Sequence, residues 1–322
     1  MNNIILSQGI PFYDLALEAR AAIRGDIDRE IPGVKEDISE TPYHRISTIT
    51  IFNHEGEALM GRPCGTYITM DAKSSFDAEP AKEEMVKTMI ELLGSILPKD
   101  KDKPVLVCGI GNPAIASDAL GEKTISRMFP TRHLFQSGDI EKNNFHSCAL
   151  FCPNVLGNTG IETAELIKGI CENIHPCAVI VIDALSTTAV SRLGTSFQLT
   201  DTGLAPGGGV NNPRPALNQK TLGVPVIALG VPTVLYPQAL IGETFETIWD
   251  YLAEHEKTAA SHHRDTAESY LYQKMEHRFS LGVTPKDIEH TIDLLSQILA
   301  GAIQGTLHRE ITAENYDAYF PI

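Results

Sequence analysis

The sequence predicts an α/β protein in three layers, with a mostly parallel central sheet between helices and further helices toward the C-terminus. Three observations carry this. Residues 104–110 (PVLVCGI) and 178–184 (AVIVIDA) are apolar runs of strand length, as a parallel sheet covered on both faces requires. Segments with helical spacing separate such runs, the order of an α/β fold. The balance of 43% apolar and 21% charged residues is that of a chain able to bury a full core.

Taken in order, residues 14–24 read as a helix with Leu15, Leu17, Ala21 and Ile23 as apolar positions, Asp14 as its N-cap and Gly25 as its stop. Residues 26–43 read as an acidic loop. Residues 45–52 and 66–71 alternate apolar and polar positions like half-buried strands, and residues 81–97 have helical spacing. This first third is expected to form a partly antiparallel layer. Buried strands follow at 104–110, 147–152, 178–184 and 224–230, with helices starting near Asp118 and Thr159. Thr159 and Glu162 have the spacing of a capping box. A helix is expected over 238–255, and Thr284-Pro285-Lys286-Asp287 opens the last one. Its stripe of Ile288, Ile292, Leu295, Leu299 and Ile303 should pack on a core or a neighbouring subunit. No linker, charge block or repeat divides the chain, so one α/β domain is expected, with its core at about 104–235 and a helical region at about 237–308.

Composition excludes some functions. A net charge of -15 is the wrong sign for gripping a phosphate backbone. No apolar run reaches the roughly 18 residues of a bilayer span, and the first residues lack a signal-peptide pattern. The expectation is a cytoplasmic protein with a protein or small-molecule partner. The six cysteines (Cys64, Cys108, Cys148, Cys152, Cys171, Cys177) form no CxxC pair and read as reduced core residues. There is no GxSxG, HExxH or P-loop lysine motif, so no metal or cofactor is expected. His255-Glu256 and His262-His263 read as a solvated face.

Two places offer chemistry. The strand at 104–110 runs into GNPAIASDALG, a tight turn at Gly109, Gly111 and Asn112 followed by Asp118. The strand at 178–182 delivers Asp183 directly. Ligands gather beyond the carboxyl ends of parallel strands, and an acid there is costly to bury without a partner or a task. If Asp118 and Asp183 face one another, their like charges oppose double ionisation and the pair shares a proton. Such a pair can activate a water and protonate a leaving amine. Other readings stand beside this one: Asp118 as a helix cap, Asp183 as the organiser of a turn, and GIGNPA (109–114) as a dinucleotide-binding turn. The Gly-rich segment 201–210 suits either close approach to a substrate backbone or a structural loop.

The stretches SDALG, TRHLF (131–135), GNTGIET with LIKG (157–169), VIVIDALSTTAVSR (179–192), SFQLTDTGLAPGGGV (196–210) and TLGVPVIALGVPTV (221–234) resemble the germination protease family, densely over 105–235. The resemblance implies an endopeptidase of the spore core that begins the degradation of small acid-soluble spore proteins at germination. It implies a fold similar to the hydrogenase maturation peptidases and catalytic roles for Asp118 and Asp183. It further implies a homotetramer, made as an inactive zymogen that cleaves itself after an acid and before a hydrophobic residue followed by Ala. Asp14-Leu15-Ala16 has that form, which makes residues 1–14 a propeptide-like segment and 15–322 the peptidase domain. Two alternatives remain at this stage: a hydrogenase-maturation-type peptidase trimming a nickel-bearing partner, and a nucleotide-binding α/β module without peptidase activity.

Overall fold

The computed structural model describes residues 14–24, 30–138, 144–206, 214–255 and 282–308. The described elements run α1 (Ala16–Arg24), β1 (Val34–Glu40), β2 (His44–Ile51), α2 (His54–Met60), β3 (Gly65–Ala72), α3 (Glu79–Ile96), β4 (Val105–Gly109), α4 (Leu120–Ser126), α5 (Arg132–Ser137) and β5 (Cys148–Phe151). There follow α6 (Leu156–Thr159), α7 (Thr163–Ile174), β6 (Ala178–Thr187), β7 (Ser196–Thr200), α8 (Gln219–Leu222), β8 (Val226–Leu235), α9 (Pro237–His255) and α10 (Ile288–Leu307). The eight strands form one sheet in the order β1-β2-β3-β7-β8-β6-β4-β5. The apolar strands β5, β4, β6 and β8 pair in parallel, and the half-polar strands β1, β2, β3 and β7 extend the sheet antiparallel from β8. The first third therefore does pair antiparallel, but it lengthens the central sheet instead of making a layer of its own.

Register explains which helices cover which face. Ile68, Leu199, Leu229 and Ile182 stand in one row across β3, β7, β8 and β6. Paired residues share a face, and this row belongs to the large core that includes Met85, Leu93, Leu295 and Leu299 of α3 and α10. The neighbouring row, Tyr67, Thr200, Ala228 and Val181, points the other way. There Val181 packs with Ile167 and Cys171 of α7, and Tyr67 packs with Ala16 and Ala19 of α1 and Met60 of α2. The second face is thus covered by two helix groups, one at each end of the sheet.

Several elements differ from the sequence expectation. Residues 34–40 form β1 where an acidic loop is expected, because an edge strand with one partner can leave its charges in solvent. Asp14 does not cap α1, since its carboxylate bonds Ser186 instead. The capping box at Thr159 and Glu162 does not form. The Thr159 hydroxyl donates to backbone carbonyls, and the Glu162 carboxylate accepts from Arg214. Cys64 and Cys152 are exposed, whereas Cys108, Cys148, Cys171 and Cys177 are buried free thiols. Gly25, His262, His263 and residues 207–213 of the Gly-rich segment lie outside the described residues.

Candidate active site

Asp118 is placed by glycines. A Cβ on Gly109 would lie 2.2 Å from the Gly121 carbonyl oxygen, so only glycine lets β4 pass this close to α4. Gly111 has φ +110°, and a Cβ there would meet the Asp118 carbonyl at 2.2 Å. The turn so formed wraps around Asp118, whose Oδ2 accepts the Asn112 amide at 2.7 Å. The Ile110 amide donates to the Ile182 carbonyl at 2.9 Å, which stitches the turn to β6 one residue before Asp183. The Thr233 hydroxyl donates to the Ser117 carbonyl at 2.6 Å and ties the same turn to β8. One of the other readings falls here. Asp118 caps no helix, since α4 starts on Ala119 with no side-chain cap. A phosphate at the Gly109–Gly111 turn would meet the Asp118 carboxylate that the Asn112 amide already binds.

Asp183 lies within β6, which continues to Thr187, so the apolar run ends at Ile182 but the strand does not. Asp183 pairs with Gly230 of β8, and Gly230 pairs with Gln198 of β7. The three form one row on the second face, with Asp183 and Gln198 two strand spacings apart, roughly 9.6 Å. Gly230 leaves room between them for the Leu185 side chain, which a Cβ there would meet at 2.5 Å and displace. This polar row opens between the two helix groups into a cavity of about 700 Å³ that both Asp118 and Asp183 line.

The electrostatics separate the two acids. Burial pushes the Asp183 carboxyl well above the usual carboxylate range, the charges of Asp118 and then Asp14 push it further, and its bond from the Ala184 amide opposes them. Its carboxylate keeps some surface toward the cavity, yet protein atoms surround it closely enough for desolvation to dominate. Burial also raises Asp118, but the Asn112 amide counters it. Asp183 is therefore the one that keeps its proton to higher pH, and Asp118 the one that ionises first.

The same cavity receives the N-terminal segment. Asp14 lines it, with its Oδ2 accepting the Ser186 amide at 2.7 Å and the Ser186 hydroxyl at 2.5 Å. Burial raises the Asp14 carboxyl, against which the Ser186 bonds and the nearby Arg62 guanidinium pull. Gln198 grips the main chain twice: its Nε2 donates to the Asp14 carbonyl at 2.8 Å and its Oε1 accepts the Ala16 amide at 2.7 Å. Leu15 between them is fully buried. Glu18, one turn on, is buried and accepts the Thr188 amide at 3.0 Å and hydroxyl at 2.9 Å, with Thr187 and Arg192 as further donors.

Of the seven residues singled out from the sequence, Gly111, Asn112, Asp118, Asp183 and Asp14 line the cavity, while Gly109 packs on α4 behind the turn and Leu15 is buried beside Gln198's contacts. Ser186, Gln198, Arg62 and the Glu162–Arg214 pair also line the cavity and were not singled out. A signal existed for one of them: Gln198 is a lone amide in the strand SFQLT, and a buried amide there needs partners.

A family model described as germination protease matches residues 12–279. Among curated proteins, the germination protease of Caldanaerobacter subterraneus subsp. tengcongensis is 35% identical over 318 residues, spanning 93% of this chain and 94% of that protein. Those of Clostridium tetani and Bacillus subtilis are 34% and 31% identical, spanning 95% of this chain and 98% and 95% of theirs. Among solved structures, a nickel–iron hydrogenase maturation protease from Thermococcus kodakarensis aligns over 66% of this chain and 98% of its own, with 14% identity and a TM-score of 0.34.

Proposed function

The chain belongs to the germination protease family, and from that premise we propose that it is the endopeptidase that starts the degradation of small acid-soluble spore proteins in the spore core. It cuts after Glu or Asp and before a hydrophobic residue, and Asp118 and Asp183 carry the chemistry. The observation that supports this most is the convergence on one cavity of two carboxylates, both raised by burial and each accepting one backbone amide.

In this reading Asp118 takes a proton from a water as the water oxygen bonds to the carbonyl carbon of the cut residue. Asp183 gives its proton to the nitrogen as the C–N bond breaks, leaving a new carboxyl and a new amine. Both acids then exchange protons with water to restore the starting state. Residues 1–14 are the propeptide-like segment, removed by the same chemistry between Asp14 and Leu15, and the active form is a homotetramer. Among the described residues no helix is long and apolar enough to cross a membrane. The family match favours this reading over the hydrogenase-maturation and nucleotide-binding alternatives.

The test is digestion of a purified small acid-soluble spore protein, with each product mapped by mass. A few fragments ending in Asp or Glu are expected, released fastest at mildly acidic pH. Asp118→Asn or Asp183→Asn should slow release by roughly 10²- to 10⁴-fold. Undiminished cutting by either variant, or cuts unrelated to acidic residues, would contradict the assignment.

A further inference from the structure

The chain at Asp14 and Leu15, just ahead of α1, is held by side chains of the cavity wall. Its one acidic side chain in the cavity goes to two donors of a single residue, Ser186, whose hydroxyl also contacts Tyr236 Oη at 3.1 Å. Its main chain is held on both sides of Leu15 by one side chain, Gln198. Gln198 shares its sheet row with Asp183. The carbonyl it fixes is that of Asp14, the carbonyl of the bond between Asp14 and Leu15. We propose that Ser186 and Gln198 are the recognition pair of the site: Ser186 reads the carboxylate of the residue before the cut, and Gln198 orients the main chain across it. This rests on the proposed cleavage after acidic residues and assigns the residues that enforce it.

The chemistry fits an acidic peptide specifically. A carboxylate oxygen accepts the Ser186 amide and hydroxyl as charge-assisted bonds, roughly twice as strong as those to a neutral amide. The Arg62 charge near Asp14 adds to that preference and stacks over the Tyr67 ring at 5.6 Å. An apolar side chain placed there would leave the Ser186 amide unpaired and its hydroxyl with Tyr236 alone, which discriminates more sharply than lost contact does. Glu18, fixed by Thr187, Thr188 and Arg192, anchors α1 on the loop that follows β6, so the segment is delivered in one register. Ser186 holds the side chain of the residue before the cut and acts by positioning, whereas Gln198 donates to the carbonyl oxygen of the bond itself.

The test is a double-mutant cycle on self-cleavage of the full chain, followed by intact mass over time. Asp14→Asn should slow loss of residues 1–14 at least about tenfold in the wild-type background. In a Ser186→Ala background the same change should cost much less, because the donor that tells acid from amide is already gone. If Asp14→Asn costs the same factor in both backgrounds, Ser186 only supports the fold and the inference is overturned. Should Ser186→Ala fail to fold, Asp14 variants on the unaltered chain decide: Asp14→Glu should still be cut, and Asp14→Asn cut as fast as wild type overturns the inference. A wild-type chain that never cuts itself while spore proteins are cut after acids overturns this inference alone. One that cuts neither itself nor spore proteins removes the proposed function as well.

Discussion

Asp183 stands in a strand that is otherwise buried and apolar as far as Ile182, and the sequence shows this cost directly. Asp118 was legible for the same reason, since it follows an apolar run into a loop, and both acids line one cavity. Ser186 and Gln198 were not, because what gives them meaning is a segment 172 and 184 residues away in the chain. Local pattern carries no information about such a contact. The raised Asp183 carboxyl has a thermodynamic consequence of fixed sign. The folded state holds that proton more tightly than the unfolded chain, so stability is fully present below the unfolded value of about 4 and is lost as pH rises toward the folded value. Asp183→Asn removes the loss. The variant should melt higher than wild type at pH 7, by roughly 2–4 °C per kcal/mol relieved, with the gain vanishing as pH falls to about 4. Melting curves across that range check it, and a variant that melts lower at pH 7 would show that Asp183 is instead a stabilising partner.

At the scale of elements, periodicity located the buried strands and the long helices within a few residues. It failed where an element is held from outside. Strand β1 is mostly exposed and takes its form from seven paired residues of β2. Strand β7 is short and buried by long-range pairing with β3 and β8. Helix α10 was the clearest success: Ile292, Leu295, Leu299 and Ile303 are buried, and they pack into the sheet's main core beside α3 and α4 instead of waiting for a subunit. Arg127, just past α4, bonds Asp293 and Ser296 of α10, and the Gln304 side chain accepts the Phe129 amide at 2.9 Å. This helix thus supports the face opposite the cavity. Leu299→Ala should cost about 2–5 kcal/mol in denaturant unfolding and leave the cleavage positions in a spore protein unchanged. A shift in those positions would mean that α10 shapes the site as well as the core.

The whole molecule places its charged chemistry on one face of a single sheet and its largest apolar core on the other. Away from the cavity, His308 is buried with Nδ1 accepting the His146 amide at 3.4 Å, and burial and the neighbouring His146 pull its pKa down to about 4. The unfolded chain takes that proton near pH 6.5, so folding stability should fall as pH drops from there toward about 4. In His308→Gln the urea midpoint should change less over that window. An equal change would place the acid sensitivity elsewhere. The fold class and the position of the cavity were readable because parallel strands advertise themselves in sequence; the placement of Asp14 in the cavity wall was not, since it is a property of the closed molecule.

Asp14 at that cavity and the two acids make one claim, and intact mass with N-terminal sequencing of wild type and Asp183→Asn, incubated side by side at mildly acidic pH, tests it most directly. The account predicts that wild type loses residues 1–14 and begins at Leu15 while Asp183→Asn stays whole. A new N-terminus at Leu15 appearing at the same rate in both would contradict it.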